Sequence, residues 1–431
     1  MNSSFYNGIS GIKTHQFGMD IVANNITNIN TTGYKSTSAE FSTIFSAQLQ
    51  NSFGSSSSDD IGLGSTAATT SFDMSTGSLI STDGQFDLAI GGKGWFNIQD
   101  VGGGHYYTRN GSFNRDGNGN LVDTFGNYVM GQSANNIQNG IVTNEDVGDI
   151  ELTDINNRTP IVLPDELTLP PERTTFVKMS GNLNSTPIYS FDDSGDKIEV
   201  SNKAVYRSVL YRADGGKNFL NITFEKVVPQ GPTDIIWDAT AIITDEDNNE
   251  LNSKLGQVIF DEKGFLKSST LTSIDSDNSN VALDFGNGSS GLVSYNSEVE
   301  GKAVSQDGHS YAGLKDYSID NLGNIEAVFD NGKSVPIYKI MVINFQNEMG
   351  LKQTSPIYFQ ESTNSGKPVF IKDKNGNVMQ QNITNRHLEQ SNVSLSAAMT
   401  ELIVMQKAFD ASSKSITTSD QMIQNAINMK R

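Results

Sequence analysis

The two ends of the chain each carry apolar residues spaced alternately three and four positions apart, and this pattern constrains the fold more than any other feature. Such spacing forms one narrow stripe along a helix, which is typical of helices that pack on other helices. The pattern therefore predicts two terminal helices with an assembly interface along each stripe. The predicted interface residues are Phe5, Ile9, Ile12, Met19, Ile26, Leu395, Met399, Leu402, Phe409, Ile416, Ile423 and Ile427.

Polar residues interrupt both stripes, at Gln16 in the first and at Gln406, Ser413 and Asp420 in the second. Two interpretations follow. The helices pack on each other within one chain, or they pack against the helices of other copies. Because a polar stripe makes a poor dry core for an isolated helix pair, the pattern favours self-assembly.

Charge is distributed unevenly along the chain. The formal net charge is −19, residues 1–35 and 385–431 carry +1 each, and the middle therefore carries −19 − 2 = −21. Such an acidic surface argues against nucleic acid or an anionic membrane as a partner. The absence of cysteine excludes disulfides and thiolate metal sites. The sequence predicts no membrane insertion and no cleavable signal peptide, so any export would use another route than general secretion.

The predicted fold class is mixed, with a coiled-coil helical domain formed by both termini and two mainly-β domains, the outer inserted in the inner. The prolines from Pro160 to Pro171 mark the point of insertion, because proline resists both helix and central strand. A short amphipathic segment is expected over Ala39–Leu49, and residues 51–70 read as a flexible or extended stretch. The predicted domains are residues 1–35 with 385–431 (helical), 36–75 (linker), 76–171 with 305–384 (inner β) and 172–304 (outer β).

Turn signals separate the predicted strands. Asn110-Gly111, the stretch from Asp116 to Gly119, and Asn331-Gly332 are strong hairpin signals, because a tight hairpin turn needs residues that tolerate positive φ.

No set of residues has the spacing of a catalytic, cofactor or metal site, so the sequence predicts a protein that is not an enzyme. The histidines His15, His105, His309 and His387 stand isolated, which argues against zinc. The glycine-rich string Gly286–Gly291 is followed by a strand pattern, so a turn is expected there and not a phosphate-binding loop. Loops beginning at Asp116 and Asp275 lack the glycine and the closing glutamate of a calcium loop, which favours simple turns.

Three segments resemble one known family. They are Ala23-Asn24-Asn25-Ile26-Thr27-Asn28 through Gly33-Tyr34-Lys35, the run Tyr107-Thr108-Arg109-Asn110-Gly111-Ser112-Phe113 with its continuation to Gly126, and the tail from Ser391 to Arg431. They are similar to the signatures of the bacterial flagellar axial proteins, the rod and hook family. Their order and placement along the chain are those of the family.

The resemblance implies a hollow helical homopolymer whose paired terminal helices line a channel, with the β domains stacked outward. It also implies export through the flagellar type III apparatus, a location in the extracellular hook and basal body, and contacts with rod proteins, hook–filament junction proteins and the hook cap. The long insertion favours a hook subunit that transmits torque as a universal joint. A rigid distal-rod protein is the alternative within the family, and a secreted β-rich adhesin or enzyme is the alternative of another class.

Overall fold

The computed structural model describes residues 3–44, 47–48, 60–61, 64–191, 193–228, 234–277, 279–297, 303–372, 374, 378–379 and 382–429. These residues form a pair of terminal helices and a mostly-β body, as predicted. We call the part of the body next to the helices the inner body, and the part formed by residues 176–306 the outer body.

The first helix, α1, spans Ser3–Thr27, and the second, α2, spans Leu395–Met429. The hydroxyl of Ser394 lies 3.5 Å from the backbone N of Ala397, at the start of α2. Past the end of α1 the chain turns at Gly33, where φ is +71° and an added Cβ would lie 2.4 Å from the backbone N of Asn110. Only glycine satisfies both conditions, so this turn fixes where the chain leaves α1 for the β body.

The inner body is built on one 15-stranded sheet to which both halves of the chain contribute. Strand Tyr128–Ser133 pairs with Ser334–Ile340, so strands from before and after the outer body share this sheet. Apolar residues of both halves, including Phe96 and Ile325, pack in one core. The strands are Trp95–Gln99, His105–Thr108, Phe113–Arg115, Leu121–Asp123, Tyr128–Ser133, Ile137–Gln138, Ile141–Val142, Thr159–Pro160, Thr168–Leu169, Ala312–Ile319, Asn324–Phe329, Ser334–Ile340, Val342–Ile343, Lys352–Ser355 and Tyr358–Gln360.

The outer body holds two five-stranded sheets that enclose a second core. Burial alternates along its long strands, as expected where one face packs inward and the other faces water. The first sheet comprises Lys203–Tyr211, Lys217–Lys226, Ile235–Thr244, Glu250–Phe260 and Leu266–Ser269. The second comprises Phe176–Asn182, Ser273–Ser276, Ser279–Asp284, Leu292–Val293 and Ala303–Gln306, and a separate hairpin joins Ile188–Phe191 to Lys197–Val200.

Short pairs connect the helices to the inner body: Leu79–Ser81 with His387–Glu389, and Leu88–Ile90 with Ile383–Asn385. Three 3-10 turns complete the described elements, at Ile155–Asn157, Gly288–Ser290 and Glu348–Gly350. The turn at Gly288–Ser290 leads into strand Leu292–Val293, so the glycine-rich string forms a turn before a strand, as expected.

The region predicted as a linker contains strands that the sequence did not indicate. Thr37–Thr43 pairs antiparallel with Ser65–Phe72, and Ala47–Gln48 pairs with Asp60–Ile61. The prediction of an amphipathic segment from Ala39 is therefore wrong where Thr37–Thr43 lies, and the stretch expected to be flexible or extended is an extended, paired strand from Ser65 onward. The reason is composition: serine and threonine dominate both long strands, and a paired, mostly exposed ribbon needs no apolar face. Predictions for residues 49–59 lie outside the described residues.

Two of the three hairpin predictions are confirmed. Asp116–Gly119 joins Phe113–Arg115 to Leu121–Asp123, and Asn331-Gly332 joins Asn324–Phe329 to Ser334–Ile340. The prediction at Asn110-Gly111 is wrong, because the flanking strands pair with other strands. A Cβ added at Gly111 would lie 1.8 Å from the carbonyl O of Leu88, so the glycine serves close chain packing.

The same hydrogen-bond pattern closes five turns among the described residues. In each, an aspartate Oδ1 accepts hydrogen bonds from the backbone N–H groups two and four residues further on. The hydrogen bond from the Asn120 side chain lowers the pKa of Asp116, whose carboxylate is thus occupied by turn contacts. The five aspartates are Asp116, Asp123, Asp245, Asp261 and Asp320.

Candidate assembly surface and its junction with the β body

Helices α1 and α2 pack antiparallel at close range because glycines line the contact. A Cβ added at Gly8 would lie 2.5 Å from Cγ1 of Ile416, and one at Gly18 would lie 3.1 Å from Sδ of Met405. Residues further along α1 therefore face residues earlier in α2, as expected for an antiparallel pair. The pairing within one chain confirms that the termini form a helical unit, and it covers only one face of each helix.

The predicted stripes flank this contact and are not fully buried within it. Phe5, Ile9, Ile12, Met19, Ile26, Leu402, Phe409 and Ile416 are half-buried, whereas Leu395, Met399, Ile423 and Ile427 are exposed. The buried positions of α1 are Gly8, Gly11, Thr14, Gly18, Val22 and Asn25, and most of them lie one residue before a position of the predicted stripe. Those of α2 are Ala398 and Ser419. The apolar pattern of the sequence does not indicate this contact between the helices, because glycine and serine have no large apolar side chain.

Large apolar side chains are exposed near both ends of α2, over residues 395–404 and 422–429. Tyr6 of α1 is also exposed. Clusters of exposed apolar side chains often mark interaction sites. Among the described residues, no helix combines the length and apolarity needed to cross a bilayer. The exposed apolar residues of α2 are Leu395, Met399, Ile403, Val404, Met422, Ile423, Ile427 and Met429.

The last part of α2 extends beyond α1. Because Gly8 faces Ser412 and Ile416 in the antiparallel pair, the described start of α1 at Ser3 lies level with about Ser419. Every residue from 420 to 429 is exposed. This segment, which we call the α2 overhang, holds four of the exposed apolar residues.

A groove of about 610 Å³ runs between α1 and a surface formed by Ile44 and the start of the strand Ser65–Phe72. Its lining is mainly apolar, so it offers further surface for a neighbouring chain. The lining residues are Tyr6, Ile9, Ser10, Lys13, Thr14, Ile44, Ser65, Thr66 and Ala67.

A buried ion cluster joins the helical unit to the inner body. Lys35 Nζ donates to Glu389 Oε1 at 2.7 Å, and Arg109 Nη1 donates to Glu389 Oε2 at 3.2 Å. All three side chains are at most 2% exposed. Lys35 follows α1, Glu389 precedes α2, and Arg109 directly follows the inner-sheet strand His105–Thr108, so the cluster ties three distant segments together.

Backbone groups complete the cluster. Lys35 Nζ also donates to the carbonyl of Ser75 at 2.6 Å, Arg109 Nη2 to the carbonyl of Gly92 at 2.7 Å, and the Gly77 N–H to Glu389 Oε1 at 3.0 Å. Burial lowers the pKa of both Lys35 and Arg109, while the charge and hydrogen bonds of Glu389 oppose that shift. Glu389 therefore compensates two cations that burial would otherwise disfavour.

Sequence reasoning did not group these residues, although each lies in or beside one of the three family-like segments. The sequence offers one indication of this cluster, which is that Lys35 and Arg109 are charged residues within those segments. Their partner could not be identified, since carboxylates are numerous and pairing depends on the fold.

Three family models match separate parts of the chain. Residues 5–35 match "Flagella basal body rod protein", residues 89–176 match "Flagellar hook protein FlgE/F/G D1 domain", and residues 384–429 match "Flagellar basal body rod FlgEFG protein C-terminal". The first and third contain the two helices, and the second lies in the β body.

Whole-length relatives are named "Flagellar hook protein FlgE". The protein of Borreliella burgdorferi is 28% identical, with 100% of each chain covered, and that of Salmonella typhimurium is 28% identical, covering 99% of this chain and 100% of that one. The crystal structure of Helicobacter pylori flagellar hook protein FlgE2 aligns with a TM-score of 0.54 at 17% identity, covering 72% of this chain and 100% of that one. This structural likeness supports the fold.

Proposed function

This chain belongs to the bacterial flagellar rod and hook family, and from that premise we propose that it is the structural subunit of the flagellar hook. The observation that carries the proposal is the end-to-end match with proteins named flagellar hook protein, which includes the outer body. The match favours a hook subunit over a distal-rod protein, and over an adhesin or enzyme.

The exposed surfaces of the helical unit suit a homopolymer. The α2 overhang and the first part of α2, residues 395–404, hold apolar side chains that the described residues leave exposed. Each such side chain gains about 1.5–3 kcal/mol when fully buried. Neighbouring copies would cover these residues, so the proposed assembly interface comprises the overhang, residues 395–404 of α2 and the groove beside α1.

The buried ion cluster supports torque transmission. A rotating tube must pass force from its helical lining to its β wall, and the cluster of Lys35, Arg109 and Glu389 joins both ends of the helical unit to the inner sheet without an exposed contact. Separation of these side chains would leave buried charges uncompensated, which is costly, whereas exposed ion pairs contribute little.

The outer body supports bending. It connects to the inner body through two strand crossings, near residues 172 and 309. The acidic middle of the chain would keep the outer surfaces solvated, so that neighbouring outer bodies slide as the tube curves. We therefore propose a universal joint between rod and filament.

The remaining assignments follow from the family. We propose contacts with rod proteins, hook–filament junction proteins and the hook cap, and export through the flagellar type III apparatus to the extracellular hook. The test is electron imaging of tubes assembled from the purified chain. Curved, hollow tubes are expected, whereas straight rigid tubes would indicate a distal-rod subunit and lack of any tube would contradict an axial role.

A further inference from the structure

The two crossings between the inner and outer bodies meet at Glu172 and His309. The Glu172 N–H donates to the His309 carbonyl at 3.0 Å, and the His309 N–H donates to the Glu172 carbonyl at 2.9 Å. The outgoing and returning strands are thus joined where the chain passes between bodies. The side chains of both residues point to a third group, the Glu145 carboxylate of an inner-body loop.

These three side chains place one nitrogen and two carboxylate oxygens together. His309 Nε2 lies 2.5 Å from Glu145 Oε2 and 4.0 Å from Glu172 Oε2, and all three atoms lie within 4.8 Å of one another. The His309 side chain is 6% exposed, while the Glu172 side chain is 55% exposed. The group is therefore fixed on its buried side and accessible from solvent on the other.

The orientation of the His309 ring leaves a lone pair facing the carboxylates. Its Nδ1 lies 3.0 Å from the Ser310 carbonyl O, which can only accept, so Nδ1 carries the proton of the neutral ring. Nε2 then presents a lone pair toward an oxygen that also holds lone pairs. Two lone pairs at 2.5 Å repel, so a cation, either a proton or a metal ion, belongs between them.

We propose that Glu145, Glu172 and His309 bind a divalent transition metal of the zinc class. An imidazole nitrogen with two carboxylate oxygens is a ligand set that zinc accepts, and it leaves a fourth position for water. Imidazole argues against magnesium and calcium, which prefer oxygen ligands. A histidine whose other ring N–H donates to a backbone carbonyl is the arrangement found in metal sites.

Small movements would complete the site. Zinc–nitrogen and zinc–oxygen distances of about 2.0–2.2 Å require neighbouring ligand atoms roughly 3–4 Å apart. Glu145 and His309 would separate slightly, and the exposed Glu172 carboxylate would swing in. Lys333 Nζ, 2.6 Å from Glu145 Oε1, holds the other oxygen of that carboxylate and leaves Oε2 for the metal.

A bound metal would tie the inner-body loop at Glu145 to both crossing strands, and so stiffen the connection between the two bodies. The metal site itself does not rest on the proposed role in the hook, because binding can be measured on the unassembled chain.

The test is calorimetric titration of the full, unassembled chain with zinc sulfate, with magnesium chloride as the comparison ion. One saturable zinc site per chain is expected, and no such site for magnesium. Glu172→Gln should weaken zinc binding about tenfold or more, because it removes one charged ligand from an exposed position where the fold tolerates glutamine. His309→Gln should abolish it, and circular dichroism checks that this buried variant folds.

Glu262→Gln is the matched control, since Glu262 is exposed and lies outside the group. It should bind zinc as the unchanged chain does. The proposal is overturned if the unchanged chain shows no saturable zinc site, which would mean that a proton fills the gap. It is equally overturned if Glu172→Gln binds zinc as tightly as Glu262→Gln does.

Discussion

Lys35 and Glu389 lie 354 positions apart in the chain, yet their side chains meet at 2.7 Å and are each 1% exposed. The contact closes the chain into a loop whose ends are the two terminal helices. It places the start of α2 beside the segment that follows α1, and Arg109 holds that point to the inner sheet.

Glu389→Gln should destabilise the fold by about 3–5 kcal/mol, because removal of one partner of a buried ion pair leaves the other charge uncompensated. Here two cations, Lys35 and Arg109, would lose their counter-ion. Urea unfolding followed by circular dichroism measures the change. Glu401→Gln, on the exposed surface of α2, is the control and should alter stability by less than about 0.5 kcal/mol. Equal stability of the two variants would show that the cluster does not stabilise the junction.

Gly8→Ala should destabilise the helix pair by about 1–3 kcal/mol, although alanine is the better helix former. The added Cβ would lie 2.5 Å from Cγ1 of Ile416, which is too close without movement of the helices. Thermal unfolding measures the loss. Ile416→Ala removes the clashing atom, so in a double-mutant cycle the two changes should be less costly together than their sum. Strict additivity would mean that the two positions do not touch.

Ile423→Asp and Ile427→Asp should prevent tube formation while the monomer keeps its stability. Both side chains are exposed on the α2 overhang, so a charge there costs little in one chain but opposes burial between chains. Sedimentation and electron imaging measure assembly. Gln421→Asp introduces the same charge at an exposed polar position of the overhang, and it should assemble more readily. Normal tubes from both isoleucine variants would exclude the overhang from the interface.

Tyr206→Phe should reduce the loss of stability at alkaline pH. Burial raises the pKa of Tyr206 from 10.0 to about 12. A folded-state pKa above the unfolded one stabilises the fold below pH 10, and this contribution of about 2–3 kcal/mol is lost as pH rises toward 12. The unfolding free energy of the unchanged chain should therefore fall relative to that of the variant as the pH rises from 10 to 12. A difference that stays constant with pH would contradict the shift.

Helices and hairpin turns could be predicted from the sequence wherever residues close together in the chain determine the local structure. The hairpins at Asp116–Gly119 and Asn331-Gly332 follow from their turn residues, and the two helices follow from their periodicity. The observed contact between the helices lies one residue before the predicted stripe at Gly8 and Gly18. These glycines allow close approach because they lack a side chain, which an apolar pattern does not indicate.

Contacts between distant segments could not be predicted in the same way. The Lys35–Glu389 pair and the Glu145, Glu172 and His309 group depend on which strands become neighbours, and no local pattern encodes that. The ribbon of Thr37–Thr43 and Ser65–Phe72 was missed for another reason: its stability comes from backbone pairing, and its side chains are mostly polar. The predicted domain boundaries and interface residues remain predictions.

The antiparallel pairing of α1 with α2 also sets an order of events during synthesis. The ribosome releases α1 first, but the helix that covers Gly8 and Gly18 follows only after the whole β body has been translated. A growing polypeptide therefore lacks a finished helical unit until α2 has been translated.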